Sequence, residues 1–591
     1  MTHSVAQDMI LSSMRDKFRF AHSNEFPPYL KYIPREFQTN ALRILNPKSL
    51  AQTLEILRMP PPVLLAQKRK IVPKTDDTLK TLVSRNRDLH TSSLKSHRPR
   101  FLRNMYFNEN IGLRDDWYTD AVFGQQQFTG TNPTTITLAP RRWVDEFMTA
   151  SDTQQRADVT RLLTDDPENI FVQDYSDFRS AMGAPQGAEF KSKGRHGCSS
   201  VALFHLEPEG KLHPLAITLD YKRSMHESVT IFNHRIKSTM PGEEPTDWPW
   251  RYAKMCAQVS DWLRHEIAVH LVNTHLVEEV IIVAAHRTIK PDHVVFKLLE
   301  PHWDPTLSLN KTARDILVPE IIIEIVGFTA TQTYNFLKDA YNRFKWTDSY
   351  VPNDLRRRGF PIEDLDKPKY HNYGYARNIA RMWEILRKFV CTILTNFYRV
   401  DAKVANDNCI AAFSREVRSD NGGQLACFPD IKTLDELIDC VTMCIHIASP
   451  QHTAVNYLQQ YYQTFVPNRP SALYTRLPRS LRELQDYMEE DILLALPIRE
   501  PRDWLIMAQV PYLLSLEVPD DNTILYYATQ TSKSVTATDT ISKEIRNAAK
   551  VLKRDLDAFG HTVSQYSQQL DDQQTGYVVL HPRKTAISIL A

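Results

Sequence analysis

The sequence is short of glycine and of net charge. It has 16 glycines in 591 residues, and 72 lysines and arginines are balanced by 70 aspartates and glutamates, which leaves a net charge of +2. So small a charge gives no overall field that would attract nucleic acid or an anionic membrane surface. We therefore expect no nucleic-acid partner, take a monomer as the default state, and look to individual sites for the function.

The sequence also has no cysteine framework, no long apolar run and no secretion signal. Its seven cysteines are odd in number and show no CxxC spacing, which favours free thiols over disulfides or a structural zinc site. No run reaches about 18 uninterrupted apolar residues, as a membrane-spanning helix would require. The N-terminus lacks a basic segment followed by an apolar one. These absences predict a cytoplasmic protein without a transmembrane segment.

Helical periodicity dominates what is present. Apolar residues recur at helical spacing over segments 251–289, 329–345, 373–400, 432–463, 478–495 and 541–570. Apolar and polar residues alternate around a Pro-Glu-Gly turn, which predicts a β-hairpin over 201–221. Because the sequence shows no internal repeat, we predict one large, mainly α body with a few short β-hairpins.

Three histidines recur at intervals of five residues in the segment HEIAVHLVNTH, as His265, His270 and His275. On a regular α-helix, residues five apart are rotated by about 140° from each other, too far to grip one ion together. A π-type turn, with hydrogen bonds from i to i+5, would align them, and such turns often mark functional sites. A single histidine here would be explained as a hydrogen-bonded core residue, but three at one interval favour a metal site.

A second segment offers one more imidazole and an amide. His452 and Asn456 are four residues apart, which places them on one face of a helix. Together the two segments provide imidazole nitrogens, an amide oxygen and no thiolate, a donor set that suits iron or manganese better than structural zinc. We therefore expect one non-haem metal ion, and redox chemistry rather than hydrolysis.

These segments resemble the metal-binding region of lipoxygenases. The stretches 265–289 and 294–317 are similar to the family's block in which two histidines five apart precede Asn-Thr-His, and Leu-Leu-x-Pro-His leads to Asn-x-x-Ala-Arg. The stretch 452–470 resembles the block with the third histidine and the asparagine, and DDWYTDAVFGQQQFTGTNPTTI (115–136) matches an upstream family signature. The resemblance runs from about residue 110 to the end of the chain.

The resemblance implies a metal centre and a domain organisation. The implied ligands are His265, His270, His452, Asn456 and the main-chain carboxylate of Ala591. Gln459 and His275 are implied as supporting residues, and no catalytic group is implied beyond a hydroxide on the metal. Residues 110–591 would form a helical catalytic domain with a long central metal-binding helix. Residues 1–109 lack the alternation of the family's N-terminal β-barrel, and we expect a helical and loop extension packed on the catalytic body.

Two features depart from the family pattern. Members usually end in isoleucine or valine, and that ending would fall at Ile589, two residues before the end of this chain. A small residue usually follows the Ala-Arg motif and controls the approach of oxygen, whereas the alignment places Glu320 or Ile321 there. The substrate is expected in an apolar channel, for which the candidate lining residues are Glu320, Ile321, Leu271, Leu276, Ile316, Ile325 and Leu513.

The implied activity is that of a dioxygenase. It would remove a hydrogen atom from the CH₂ between two double bonds of a linoleate-like fatty acid and add O₂, giving a hydroperoxide. Two alternatives stay open: an oxidase of a polyene natural product, either a polyketide or a terpenoid, motivated by Glu320, and a non-catalytic homologue, motivated by the extended tail. Iron is expected over manganese, because the family's known manganese members are secreted and no secretion signal is evident.

Overall fold

Helices packed around one large apolar core make up most of the structure. The computed structural model describes residues 11–35, 38, 60–95 and 104–590 of the chain. Within these ranges short strands are the minority, and the main buried cluster collects side chains from helices along nearly the whole chain. The mainly α fold predicted from the hydrophobic periodicity is confirmed.

The α-helices follow the predicted segments closely, with two exceptions. The first is 432–463, which is a helix over 434–456 followed by the helix Gln459–Gln463, because a turn at residues 457–458 separates them. The second is 478–495, which is two short helices, because the chain leaves the helical conformation between Gln485 and Glu489. Apart from three helices that contain π turns, α-helices span Pro60–Lys68, Leu79–Lys95, Asp120–Thr129, Arg141–Thr153, Ala157–Asp165, Phe178–Met182, Val294–Leu299, Ala330–Arg343, Val351–Arg357, Gly374–Tyr398, Asp401–Ala405, Asn408–Arg418, Gln459–Gln463, Leu481–Gln485, Glu489–Ala495, Pro501–Leu514, Ile524–Lys533 and Thr540–Gln568.

One antiparallel sheet of five strands lies beside the helical body. Its order is β3-β4-β7-β8-β9, and two-stranded ladders pair β1 with β2 and β5 with β6. The predicted hairpin over 201–221 is confirmed as β7 and β8, which pair from Leu206↔Leu212 to Val201↔Thr218. The strands are β1 Phe20–Ala21, β2 Tyr29–Leu30, β3 Thr137–Leu138, β4 Ile170–Asp174, β5 Lys191–Ser192, β6 Arg195–His196, β7 Val201–Leu206, β8 Leu212–Thr218 and β9 Thr230–Phe232.

A single 41-residue helix, Trp248–Thr288, runs through the middle of the core; we call it the central helix. Asp247 caps its start by accepting a hydrogen bond from the backbone N–H of Trp250, which satisfies one of the donors left free at a helix N-terminus. Length and composition alone would let this helix cross a membrane, but 94% of its most apolar window is buried inside the protein. It is therefore the core helix around which the others pack.

Three helices of the described chain contain π turns. The central helix is π-helical over Arg264–Leu276, the first π segment. The helix Thr306–Ile325 is π-helical over Ala313–Ile322, the second π segment, which contains Pro319. The helix over 434–456 has a shorter π turn at Ile447–Gln451, with Pro450 inside. Proline lacks an N–H, so it removes one regular helical hydrogen bond and makes a change of register less costly at these two places.

The two ends of the described chain pack against the functional helices. The ladder of β1 and β2, which we call the N-terminal hairpin, lies on the central helix, with the backbone N–H of Leu30 donating to Glu279 Oε1 at 2.9 Å. The C-terminal segment 585–590, which we call the tail, threads between helices and is largely buried. The N-terminal hairpin thus contacts a part of the central helix that lies about 250 positions later in the sequence.

Candidate metal centre

Three imidazoles converge in the core. The Nε2 atoms of His270, His275 and His452 lie 3.1 to 3.4 Å from one another, and the three side chains are buried. The first π segment places the two histidines that are five apart side by side, as the spacing predicted, and the end of the helix over 434–456 supplies the third. Three nitrogens this close cannot all be satisfied by hydrogen bonds to each other, so they fit around one cation.

His265 does not join this cluster. Its Nε2 lies 2.7 Å from the carbonyl oxygen of Val455, so the ring ties the central helix to the helix that carries His452. This grouping differs from the ligand set that the resemblance implied: the structure brings His275, rather than His265, together with His270 and His452. Successive π turns align both pairs of histidines, but His452 faces only the second pair.

Asn456 and Gln459 lie next to the histidines. Asn456 lines the same cavity as His270 and His275, and its Oδ1 accepts a hydrogen bond from Gln459 Nε2 at 2.8 Å. An amide oxygen that accepts one hydrogen bond retains a second lone pair. Gln459, expected from the resemblance to be a supporting residue, thus contacts the candidate ligand Asn456 directly.

The predicted carboxylate of Ala591 lies outside the described residues, but the tail leading to it is well anchored. The carbonyl oxygen of Leu590 accepts from Asn456 Nδ2 at 3.2 Å and from the Tyr457 hydroxyl at 3.3 Å. Upstream, the carbonyl of Ile587 faces His302 Nδ1 at 2.8 Å. Backbone and side-chain hydrogen bonds further fix the tail to Asp304, Ser449, Thr453, Asn522 and Ile524.

Burial keeps the clustered imidazoles neutral. It lowers the pKa of His275 to about 3, helped by the neighbouring His270, and it lowers the pKa of His270 and of His452 in the same direction. Neutral imidazole is the form that binds metal ions, because the protonated ring has no free lone pair. The cluster is thus ready to bind a cation without first losing protons at neutral pH.

Two members of the histidine cluster, His270 and His275, lie in the wall of a narrow apolar cavity. The cavity has an empty volume of about 900 Å³, including the part open to solvent. Its polar lining residues are Glu266, His270, His275, Thr312 and Asn456; its apolar lining residues are Ile267, Leu271, Leu309, Ala313, Leu317, Val318, Ile321, Ile322, Val510, Leu513, Leu514, Leu516 and Leu590. An apolar cavity with a few convergent polar groups at one side is typical of a binding site for an apolar molecule.

The channel residues predicted from sequence divide into two groups. Leu271, Ile321 and Leu513 line the cavity. The other four, Glu320, Leu276, Ile316 and Ile325, are not among its lining residues, which corrects those four predictions. The second π segment explains two of the misses, because its i to i+5 hydrogen bonds turn Ile321 inward and leave Glu320 and Ile316 in partly exposed positions.

Sequence reasoning missed most of the apolar lining and one charged residue. Ala313, Leu317 and Ile322 follow the spacing of four to five residues that a π segment imposes, but nothing in a run of aliphatic residues marks which face is lined. Glu266 is buried between His265 and His270, with its oxygens 3.4 and 3.6 Å from their Nδ1 atoms. A carboxylate adjacent to a repeated histidine was the signal that could have identified it.

The chain is similar to lipoxygenases in sequence and in structure. The lipoxygenase family model matches residues 64–575. A manganese lipoxygenase from Pleurotus sapidus is 47% identical, over 99% of this chain and 91% of that protein. Linoleate 9S-lipoxygenase 1 of Hordeum vulgare is 27% identical over 64% of this chain and 46% of that longer protein. The crystal structure of a fungal lipoxygenase from Fusarium graminearum superposes with a TM-score of 0.89 and 37% identity, covering 99% of each chain.

Proposed function

This chain belongs to the lipoxygenase family, and we propose from that premise that it is a dioxygenase of polyunsaturated fatty acids, with linoleate as the reference substrate. One observation carries the proposal: three buried, neutral imidazoles converge on one point, and two of them, His270 and His275, lie in the wall of a narrow apolar cavity. A polyunsaturated chain in that cavity would lie with its reactive carbons against the histidine cluster.

The family uses a non-haem metal, and the donor set fits one. We propose that His270, His275 and His452 hold it, with Asn456 as a weaker ligand. The carboxylate of Ala591 remains the predicted anionic ligand, and the anchoring of the tail through Leu590 supports that prediction. When bound, the metal would supply the one-electron redox chemistry that removes a hydrogen atom from substrate. Imidazole, amide and carboxylate donors without a thiolate suit iron or manganese better than structural zinc.

We propose manganese as the first metal to test, with iron second. The sequence-based preference for iron rests on the N-terminus alone, whereas the 47% identical relative from Pleurotus sapidus is named a manganese lipoxygenase. The donor set accepts both ions. Elemental analysis of protein purified without added metal, followed by reloading with each ion and comparison of oxygen uptake, distinguishes them.

The residues of the cavity would control the substrate while the reaction proceeds. The overall change is the removal of one hydrogen atom from a bis-allylic CH₂, the addition of O₂ to the resulting pentadienyl radical, and the return of a hydrogen atom to give a hydroperoxide. Leu271, Ile321 and Leu513 pack around the cavity and exclude water, which would otherwise compete for the reacting face. The same apolar surface would bind the hydrocarbon chain through the area it buries.

The alternative of a polyene natural product as substrate loses its main support in the structure. That alternative was motivated by a charged residue at the oxygen-controlling position, but the cavity is lined by Ile321 rather than by Glu320. The apolar lining suits an unsubstituted hydrocarbon chain. Activity on a polyene at a rate well above that on linoleate would reverse this preference.

The decisive experiment combines metal analysis with oxygen uptake. Protein loaded with manganese or iron is mixed with linoleate, and oxygen consumption is recorded together with the absorbance of the conjugated diene that forms in the product. We expect both signals, in equal molar amounts, and loss of both in His275→Ala. If fully metal-loaded protein gives neither signal, the proposed activity is wrong, and a binding role would then be the better explanation.

A further inference from the structure

The three clustered histidines are held differently at the ring nitrogen that faces away from the cluster. His275 Nδ1 lies 2.8 Å from Asn310 Oδ1, a hydrogen bond in the core. Nδ1 of His452 has no hydrogen-bond partner among the described residues, and Nδ1 of His270 lies 3.6 Å from Glu266, beyond hydrogen-bond distance. His275 is thus the clustered ring whose orientation and tautomer are fixed by a direct hydrogen bond.

A carboxylate behind Asn310 decides which way that hydrogen bond runs. Asn310 Nδ2 donates to Glu279 Oε2 at 2.9 Å and to the carbonyl oxygen of His275 at 2.7 Å. Because an ionised carboxylate only accepts hydrogen bonds, the amide must present its nitrogen to Glu279 and its oxygen to the ring. His275 Nδ1 must then be the donor, and its Nε2 keeps the lone pair that points into the cluster.

The carboxylate itself is fixed by three donors from different parts of the chain. Besides the hydrogen bond from Asn310, Glu279 Oε2 accepts one from Arg314 Nη1 at 2.5 Å. Its Oε1 accepts one from the backbone N–H of Leu30 at 2.9 Å. Glu279 is fully buried. The guanidinium of Arg314 is covered in turn by the ring of Tyr29, whose centroid lies 4.4 Å away. Two adjacent residues of the N-terminal hairpin therefore contact the ion pair, one through its backbone and one through its ring.

We propose that the N-terminal hairpin is a positioning element of the metal centre, acting on His275 through Glu279 and Asn310. This inference rests on the proposed metal centre. The hairpin supplies a hydrogen bond and an aromatic cover that hold the Glu279–Arg314 pair, the pair sets the orientation of the Asn310 amide, and the amide sets the tautomer and angle of the imidazole. Residues 20–30 would thereby belong to the functional site despite lying about 250 positions before His275 in the sequence.

The chain offers a matched control in the neighbouring residue. Glu278 is as deeply buried as Glu279, yet neither of its carboxyl oxygens has a hydrogen-bond partner among the described residues. Burial raises its pKa well above the usual value, which favours the neutral acid, the form that glutamine imitates in size and charge. Glu278→Gln therefore changes a buried carboxyl on the same helix without altering the hydrogen bonds that link Glu279, Asn310 and His275.

The first test compares Glu279→Gln with Glu278→Gln and wild type in the metal-loaded full-length protein. Metal release into an excess of a strong chelator is followed by elemental analysis, and the paramagnetic resonance spectrum of the bound ion is recorded. Outer hydrogen bonds to a ligand typically change metal affinity by about 10- to 100-fold. We expect Glu279→Gln to release metal at least about tenfold faster with an altered spectrum, while Glu278→Gln stays within about twofold of wild type with an unchanged spectrum.

The second test addresses the hairpin itself with substitutions of two tyrosines, of which Tyr29 is partly buried against the apolar core and Tyr32 is exposed. Tyr29→Leu removes the ring over Arg314, and Tyr32→Leu, at a side chain that is 72% exposed, serves as its control. We expect faster metal release and a spectral change for Tyr29→Leu and neither for Tyr32→Leu. This pair of variants also tests the positioning role of the hairpin if Glu279→Gln does not fold.

The outcomes separate the two proposals. If wild-type protein takes up no iron or manganese, the proposed metal centre is wrong, and the positioning role of the N-terminal hairpin is wrong as well. If wild type binds metal but Glu279→Gln and Tyr29→Leu match their controls in release rate and spectrum, the metal centre stands and the positioning role of the hairpin is overturned.

Discussion

The two longer π segments lie on the same cavity, yet they differ in how much of their role is visible in the sequence. The first, Arg264–Leu276, contributes Glu266, His270 and His275 to the cavity wall; the second, Ala313–Ile322, contributes only apolar side chains. Both use i to i+5 hydrogen bonds to turn residues inward. In the first segment the histidines themselves mark the inward face, whereas nothing in the second distinguishes inward from outward aliphatic residues.

A helical register can therefore be predicted from sequence only where chemically distinct side chains mark one face of the helix. Three histidines at intervals of five residues predict a π turn, because no regular α-helix would align them. The run DILVPEIII offers no such label, so counting along it placed Glu320 as a candidate beside Ile321.

The largest effect is expected from removing histidines of the first π segment. His270→Ala and His275→Ala should each lower the bound metal by at least about tenfold, because each removes a nitrogen from the cluster. His265→Ala should retain most of the metal, since that ring bonds to the carbonyl of Val455. Metal per protein is measured after dialysis against chelator. Equal loss in all three variants would mean that the cluster is assigned wrongly.

In the second π segment, the position that faces the cavity is tested by shortening its side chain. Ile321 is 1% exposed, and Ile321→Ala should lower the free energy of unfolding by about 2–5 kcal/mol while changing the ratio of hydroperoxide isomers formed from linoleate. Glu320→Gln should stay within about 0.5 kcal/mol with an unchanged product ratio. Chemical denaturation and chromatography of products provide the two readouts. A product change in the glutamate variant alone would place the register one residue earlier.

The first π segment should also make the metal-free protein sensitive to acid. His275 has a pKa of about 3 in the folded protein against about 6.5 in an unfolded chain. Below pH 6.5 the unfolded chain therefore binds a proton that the folded protein does not. The contribution of His275 to the free energy of unfolding should be fully present above pH 6.5. It should fall as the pH decreases toward 3, by up to about 1.4 kcal/mol per pH unit.

Denaturation midpoints of metal-free protein between pH 7.5 and pH 4.5 measure this slope. His275→Asn should flatten it, whereas Ile321→Val in the second π segment should shift stability without changing the slope. If His275→Asn leaves the slope of stability against pH unchanged, the acid sensitivity arises from other residues of the chain.

The smallest effect is expected where the tail reaches the cavity between the two segments. Tyr457→Phe removes a hydroxyl that donates to the carbonyl of Leu590 and leaves the ring in place. Loss of one buried hydrogen bond should lower stability by about 0.5–1.5 kcal/mol, and metal release should become faster because the tail is held less firmly. Tyr32→Phe, at an exposed side chain two residues after the N-terminal hairpin, is the neutral control. If the two variants behave identically, the contact between Tyr457 and Leu590 neither stabilises the protein nor holds the metal.

Much of the fold could be predicted from the sequence, because amphipathic helices carry their periodicity in local composition. The central helix, the hairpin over 201–221 and the long C-terminal helix all fall within a few residues of the predicted ranges. The region 478–495 was predicted as one helix and is two, since its periodicity continues across Asp486 although the backbone turns there. Local pattern reports which face is apolar, but it does not report where the backbone changes direction.

By itself, the sequence determined the helical class, the two histidine-bearing segments and the kind of donors available to a metal. Residue type fixes chemistry, and spacing fixes which side chains can share a face. Only the tertiary structure decided that His275 rather than His265 joins His270 and His452, because that choice depends on which ring faces a helix almost 180 residues away. The same holds for the N-terminal hairpin behind Glu279: contacts across such distances depend on packing, which local sequence does not encode.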